Sequence, residues 1–268
     1  MKASADNYLE INKENWNKRT EAHVESEFYD VPSFLKGKTS LNPPEIGLLG
    51  DLKGKSVLHL QCHFGLDTLS MQRMGASATG VDLSDKAIEQ ARNLAQKTGL
   101  DSRFVCCDVY SLPSHLNEQF DIVFTSYGTV GWLPDINKWG EIVKRFLKPR
   151  GKFVMVDFHP ALWMLDEEKM ETVKYRYFND AAIIDEEEGS YGDRNNKEAI
   201  VSVSWNHGLA EIVNALLSQK LRMEHFDEYD YSCYDCFANM RKDGEHCYRP
   251  DRAESKIPMM YSFVFCND

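Results

Sequence analysis

Ser56-Val57-Leu58-His59-Leu60-Gln61-Cys62-His63-Phe64-Gly65-Leu66-Asp67-Thr68-Leu69-Ser70-Met71-Gln72-Arg73-Met74-Gly75-Ala76-Ser77-Ala78-Thr79-Gly80-Val81-Asp82 is the stretch that decides the fold. Val57 to Leu60 is short and mostly apolar, as a strand buried in a parallel sheet must be. Gln61 to Gly65 is a tight turn. Leu66, Leu69, Arg73 and Met74 follow helical spacing to a stop at Gly75, with Leu66, Leu69 and Met74 as the apolar face. Ala78 to Val81 is a second strand, and it ends on Asp82. A carboxylate about 20 residues past the turn is where such folds hydrogen-bond a ribose diol. The stretch therefore places a ribose-bearing cofactor across the carboxyl ends of two parallel strands.

The turn narrows the cofactor. A dinucleotide needs a glycine-rich turn so that its pyrophosphate can approach the backbone. Gln61-Cys62-His63-Phe64-Gly65 holds one glycine. S-adenosylmethionine carries adenosine without a phosphate, and a bulkier turn accepts it.

Working outward, residues 6–30 are polar with scattered aromatics. A helix over 8–26 would carry Leu9, Ile11, Trp16 and Val24, either as a surface helix that buries Trp16 or as a lid with Trp16 or Arg19 facing the ligand. Val31 to Pro44 reads as a loop-rich connector. Past Asp82, Ser84 N-caps a helix to about Lys97 whose buried face is Ala87, Ile88, Ala91, Leu94 and Ala95, closed by Gly99. Strands follow at 103–107, 120–126 and 152–158, with a helix over 137–147 and a turn at 148–151. Strands alternating with helices mean a parallel, doubly wound sheet.

After Phe158 the rhythm breaks. Residues 161–200 hold 11 acids against 5 bases. Tyr175 to Phe178 and Ile200 to Trp205 read as strands around a solvated acidic tip, Asp185 to Glu188. This is expected to be an inserted cap at about 161–206. A helix over 208–219 and strands at 221–229 and 258–265, with a loop between the two strands, complete the chain. The expected organisation is an N-terminal helical lid and connector over 1–52, then one domain over 53–268 that contains the cap.

The chain is 268 residues long, 43% hydrophobic, with net charge −11. The acidic balance argues against nucleic acid, whose binding rests on Lys and Arg at phosphates. No apolar run reaches the roughly 18 residues of a membrane span, and residues 1–7 lack the apolar core of a secretory signal. Seven cysteines, an odd count, suit a reducing cytoplasm better than a disulfide framework. Cys233-Tyr234-Asp235-Cys236 and His246-Cys247 lack zinc-ligand spacing, so no metal is expected.

From about Lys55 to Phe158, some 40% of the chain, the sequence resembles the class I S-adenosylmethionine-dependent methyltransferases. The resemblance rests on Leu58 to Gly65, Thr79-Gly80-Val81-Asp82-Leu83-Ser84, and Cys107-Asp108-Val109 with Leu112-Pro113. It also rests on Phe120-Asp121-Ile122-Val123 and Leu147-Lys148-Pro149-Arg150-Gly151. It implies a Rossmann-like, mostly parallel seven-stranded sheet whose last pair is antiparallel. It also implies that Gln61, Cys62 and Gly65 lie along the methionine of the cofactor. Asp82 would bind the ribose hydroxyls, Leu83 would pack beside the adenine, and Asp108 and the Val109 N–H would bond the adenine edge. Tyr127 would sit near the sulfonium. Gln61-Cys62-His63 stands where acid-Gly-Cys/Ser-Gly is usual.

Candidate bases on the ligand side are Tyr127, His159 and His207, with His159 ranked first because it follows the fifth strand directly. Trp132, Trp163 and Trp205 either wall the acceptor pocket or pack in the cap. The expected function is methyl transfer from S-adenosylmethionine to a small-molecule acceptor. The rival classes are a non-catalytic S-adenosylmethionine-binding protein and a nicotinamide-dependent oxidoreductase. The oligomeric state is not encoded in any motif.

Overall fold

The computed structural model describes residues 4–166, 170–178, 181–194, 197–251 and 257–268. Helices α1 (Tyr8–Glu25), α2 (Val31–Leu35) and α3 (Pro43–Leu49) precede β1 (Ser56–Leu60). Then come α4 (Leu66–Arg73), β2 (Ser77–Asp82), α5 (Asp85–Thr98), β3 (Arg103–Cys106), β4 (Phe120–Ser126), α6 (Ile136–Phe146) and β5 (Leu147–Phe158). The chain continues through β6 (Ile183–Glu188), β7 (Ala199–Ser204), α7 (Leu209–Ser218), β8 (Arg222–Tyr229), β9 (Met240–Gly244), β10 (Cys247–Pro250) and β11 (Met260–Cys266).

Seven strands form one sheet in the order β3-β2-β1-β4-β5-β11-β8. The pairs among β1 to β5 are parallel, and β11 runs antiparallel to both β5 and β8. This is the doubly wound, mostly parallel sheet expected. Strand order reverses between β1 and β4, the switch point at whose strand ends ligands of open parallel sheets bind, and the region bordered by the loops leaving these strands is called the crevice below. Local chemistry agrees with the topology. Ser84 Oγ accepts the Ala87 N–H at 3.0 Å, Gly99 ends α5 at φ +67°, and the five apolar residues read from the sequence are its buried face. Gly140 lets α6 approach α7, since a Cβ there would stand 2.7 Å from the Ala215 carbonyl oxygen.

Five local expectations are corrected. The connector contains two helices, because Pro32, Pro43 and Pro44 occupy first-turn helical positions where proline is tolerated rather than breaking. The stretch 148–151 is a bulge inside β5, with Arg150 at φ +63° and its N–H donating to the Asn267 carbonyl at 2.6 Å. The acidic run is not a solvated tip but strand β6, antiparallel to β7. Alternate acids turn inward: Asp185 accepts the Tyr175 hydroxyl at 2.8 Å, and Glu187 lies 3.7 Å from Arg19. Residues 175–178 form no strand, since the Arg176 carbonyl accepts from Asn206 Nδ2 and the Tyr175 N–H donates to Met164. Between β8 and β11 lies the hairpin β9–β10 rather than a plain loop.

Helix α1 runs as expected but presents a different face. Its buried residues are Asn12, Asn15, Arg19, Thr20 and His23, and Leu9 is exposed. The reason is its partner. Strand β7 offers backbone groups, and Asn12 meets both at Val203, donating to its carbonyl at 2.8 Å and accepting its N–H at 2.9 Å. Asn15 Nδ2 donates to the Val201 carbonyl at 2.9 Å.

Candidate cofactor and acceptor site

The turn after β1 takes the backbone path of a glycine-rich loop without its glycines. Gln61, His63 and Gly65 lie at φ +53°, +51° and +81°. Left-handed backbone costs a non-glycine residue about 1–2 kcal/mol, so Gln61 and His63 hold stored strain at the crevice. Gly65 is required sterically, since a Cβ would meet the Phe104 ring at 2.7 Å. Cys62 donates its N–H to the Val81 carbonyl at 2.8 Å. Its side chain is buried against Gly80. Gln61 Nε2 donates to the Thr129 carbonyl at 2.8 Å, while its buried Oε1 has no hydrogen-bond partner among the described residues.

Asp82 is held from both sides. Its Oδ2 accepts the His63 N–H at 2.8 Å and its Oδ1 the Ser84 N–H at 2.9 Å. Each oxygen keeps lone-pair capacity for a ligand hydroxyl. Burial pushes its pKa up to about 6 against these donors. Leu83, half-buried, follows directly. Asp108 Oδ1 accepts the Tyr110 and Ser111 N–H groups at 2.9 and 3.1 Å, which opens a 3-10 turn at Val109. Tyr8 of α1, which the sequence did not single out, stands beside Asp108. Burial and then that carboxylate push its phenol up to about 12, and its ring packs edge-on against Trp205 at 5.2 Å.

On the other side of the crevice Tyr127 leaves β4 at φ +40°, with its ring 4.9 Å from that of Tyr234. Its hydroxyl faces Glu45, and Asn42 Nδ2 bridges the two, 3.5 Å from Tyr127 Oη and 3.2 Å from Glu45 Oε1. Glu45 is fully buried, and its Oε2 has no hydrogen-bond partner among the described residues. Burial, then the nearby Asp67 charge, push its pKa up to about 8. Asp67 accepts from Ser40 Oγ at 2.6 Å and Ser126 Oγ at 3.5 Å. Asp157, at the end of β5, ties down the loop after β4. It accepts the N–H groups of Gly128, Thr129 (3.4 Å) and Phe158 (2.7 Å) and the Thr129 hydroxyl (3.3 Å). Sequence reasoning missed Glu45 and Asp157. The acid inside the apolar run 152–158 was the available signal for Asp157. The Asn42-Pro43-Pro44-Glu45 segment carried none beyond a helix start.

Glu45 predicts a pH effect. Its folded pKa lies above its unfolded value, so the stability it contributes is fully present below about pH 4.5 and is lost as pH rises through about 8. Between pH 7 and 8.5 the ligand-free protein should lose Tm, and Glu45→Gln should flatten that decline. Parallel slopes for the two proteins in a thermal melt series would refute the burial of an ionisable Glu45.

Comparison with known proteins agrees with this geometry. A family described as "Methyltransferase domain" matches residues 57–151. The matched stretch runs from β1 into β5 of the seven-stranded sheet. Ubiquinone biosynthesis O-methyltransferase of Idiomarina loihiensis is 29% identical over 146 residues, covering 52% of this chain and 60% of the relative. The enzyme of that name from Coxiella burnetii is 34% identical over 101 residues, covering 38% and 42%. The chain thus spans 60% or less of the length of these two relatives. Among solved structures, a putative S-adenosylmethionine-dependent methyltransferase of Listeria monocytogenes superposes with TM-score 0.57 at 18% identity, covering 83% of this chain and 95% of that one. Geranyl diphosphate C-methyltransferase of Streptomyces coelicolor superposes with TM-score 0.58 at 13% identity over the whole of both chains. At these identities the superpositions show the fold.

Two of the three candidate bases, His159 and His207, have ring nitrogens close to protein groups. His159 Nδ1 accepts the Ala161 N–H at 3.1 Å, and its Nε2 lies 3.0 Å from Glu228 on β8. His207 Nε2 lies 2.7 Å from the Leu133 carbonyl and its Nδ1 3.0 Å from Glu211. Both His207 nitrogens face protein acceptors, whereas the His159 ring is held through Nδ1 and its buried Nε2, beside Glu228, has no hydrogen-bond partner among the described residues. The chain turns back directly after β5, where the Leu162 N–H donates to the His159 carbonyl, and this aims His159 at the sheet edge. Tyr127 stays at the crevice, but burial holds its phenol protonated, well above 10, so it is a donor rather than a base. His159→Gln should lower the unfolding free energy by roughly the 1–3 kcal/mol of an orphaned buried group. It should leave S-adenosylhomocysteine affinity within threefold, and a tenfold loss of affinity in the folded variant would return His159 to the site. Of the tryptophans, Trp132 packs 5.3 Å from Trp16, Trp205 is buried on Tyr8, and Trp163 is partly exposed.

Proposed function

We propose that this chain binds S-adenosylmethionine and transfers its methyl group to a small-molecule acceptor. The observation that carries the reading is Asp82. It is a recessed carboxylate at the end of β2, with each oxygen anchored by one backbone N–H and still able to accept from a ribose hydroxyl. The other residues fit the same ligand. Leu83, Asp108 and the Val109 N–H border the adenine side, and Gln61 offers the orphaned Oε1 to an ammonium group. Cys62 contributes backbone alone, and Gly65 gives the turn room.

The cofactor supplies an electrophilic methyl on a sulfonium, so the protein has to align, desolvate and manage one proton. Helix α1 is held to strands β6 and β7 by the Asn12, Asn15 and Arg19 contacts. Asp157 fixes the loop that carries Tyr127 and Thr129, and Thr129 in turn holds Gln61. Glu45 is the group beside Tyr127 whose pKa, near 8, suits it to receive a proton released from the acceptor. We place the protein in a reducing compartment, the cytoplasm, because all seven cysteines are free, and no described helix is long and apolar enough to cross a membrane. The net charge of −11 supports a small acceptor over nucleic acid. The relatives named O-methyltransferases make an oxygen nucleophile the first class to screen. Calorimetric titration tests the cofactor: S-adenosylmethionine should bind one to one and NADH should not. The reverse preference would support the oxidoreductase reading.

A further inference from the structure

Helix α1 buries three polar groups that no described residue answers. Asn15, Arg19 and His23 recur every four residues and share one helix face. Each is more than nine-tenths buried, at 1%, 8% and 0% exposure. Asn15 Oδ1, Arg19 Nε and His23 Nδ1 have no hydrogen-bond partner among the described residues. Their remaining atoms are used: Asn15 Nδ2 on Val201, Arg19 Nη2 at 3.7 Å from Glu187, and His23 Nε2 at 2.9 Å from Ser190 Oγ. The Arg19 guanidinium also lies over the Trp16 ring, 5.7 Å from its centroid, but a buried arginine with one distant ion pair and an idle Nε–H is still costly unless a ligand completes it. The complement to its Nε–H and Nη–H edge is a planar group with two acceptor oxygens.

Ring contacts link this face to the turn after β1. The His63 ring lies 5.3 Å from that of His23 and 5.2 Å from that of Trp16, and the His63 N–H donates to Asp82. The face of α1 is therefore one residue from the carboxylate assigned to the ribose. Trp16 and Trp132, 5.3 Å apart, offer aromatic surface beside it.

We propose that Arg19, with His23 and His63, forms a receptor for a ligand carboxylate. Two sources share this chemistry, the amino-acid tail of the cofactor and an acidic methyl acceptor. The proposal rests on the methyltransferase reading only for the choice between them.

The test is equilibrium binding to the full chain and to Arg19→Gln and Arg19→Lys. The probes are S-adenosylhomocysteine, its decarboxylated analogue, and benzoate against benzyl alcohol in the presence of S-adenosylhomocysteine. If the cofactor brings the carboxylate, Arg19→Gln weakens S-adenosylhomocysteine at least tenfold and leaves the decarboxylated analogue within twofold. If the acceptor brings it, S-adenosylhomocysteine is unchanged, while benzoate binds the wild-type protein and weakens at least tenfold in the variant. Arg19→Lys, which keeps charge without the fork, falls between wild type and Arg19→Gln and serves should Arg19→Gln not fold. Equal affinities across wild type and variants for every probe overturn the proposal, as do losses of equal size with and without the carboxylate. Failure of the wild-type protein to bind S-adenosylhomocysteine would instead count against the methyltransferase reading, and the benzoate arm would still decide the receptor.

Discussion

Asp82→Ala is expected to weaken S-adenosylhomocysteine binding by roughly 1–3 kcal/mol, about 5- to 150-fold, the cost of leaving buried hydroxyls without their acceptor. The effect should be confined to ligands with an intact ribose diol. A 2′,3′-dideoxy analogue should bind wild type and variant alike. The substitution also removes the acceptor for the His63 and Ser84 N–H groups, so the turn itself would loosen. Asp82→Asn separates the two effects, since its carbonyl keeps one backbone bond. Folded Asp82→Ala protein with unchanged calorimetric affinity would remove Asp82 from the site.

Asp157→Ala is expected to produce the largest combined effect. The variant orphans the N–H groups of Gly128, Thr129 and Phe158. The net loss should be about 2 kcal/mol or more at neutral pH, or roughly 4–8 °C in Tm for a domain of this size. Burial raises the folded pKa of Asp157 to about 6, so the protonated acid stabilises the native state and that contribution fades as pH rises through 6. The destabilisation caused by Asp157→Ala should therefore be about 1 kcal/mol larger at pH 5 than at pH 8. Because Thr129 holds Gln61, S-adenosylhomocysteine affinity should fall as well. A variant with wild-type Tm at both pH values would show that the loop is held by other contacts.

The sheet was legible in the sequence because its signals are local. Each core strand is an apolar run, each core helix shows its period, and Ser84 and Gly99 mark the ends of α5. The acid at the end of β2 was legible because strand length and turn length place it. The acceptor side was less so, since it is built from distant pieces. Glu45, Tyr127 and Tyr234 meet from α3, the loop after β4 and the segment after β8. No spacing rule links them. His159 stands at a strand end as read, while its neighbours Ala161 and Glu228 are visible only in three dimensions. The buried face of α1 misled. Periodicity looks for apolar residues, whereas this helix covers an edge strand and a crevice with polar ones. The acidic run was read as solvent-facing from charge alone, and strand pairing turned every second acid inward.

The central claim is methyl transfer, and the most direct measurement follows the methyl. The protein is incubated with S-adenosylmethionine labelled in its methyl group and a pool of small metabolites, alongside Asp82→Ala. The account predicts label in a low-molecular-weight product, an equal amount of S-adenosylhomocysteine, and loss of most of both in the variant. One-to-one binding of S-adenosylmethionine without label transfer to any pool, or transfer that Asp82→Ala leaves untouched, would contradict it.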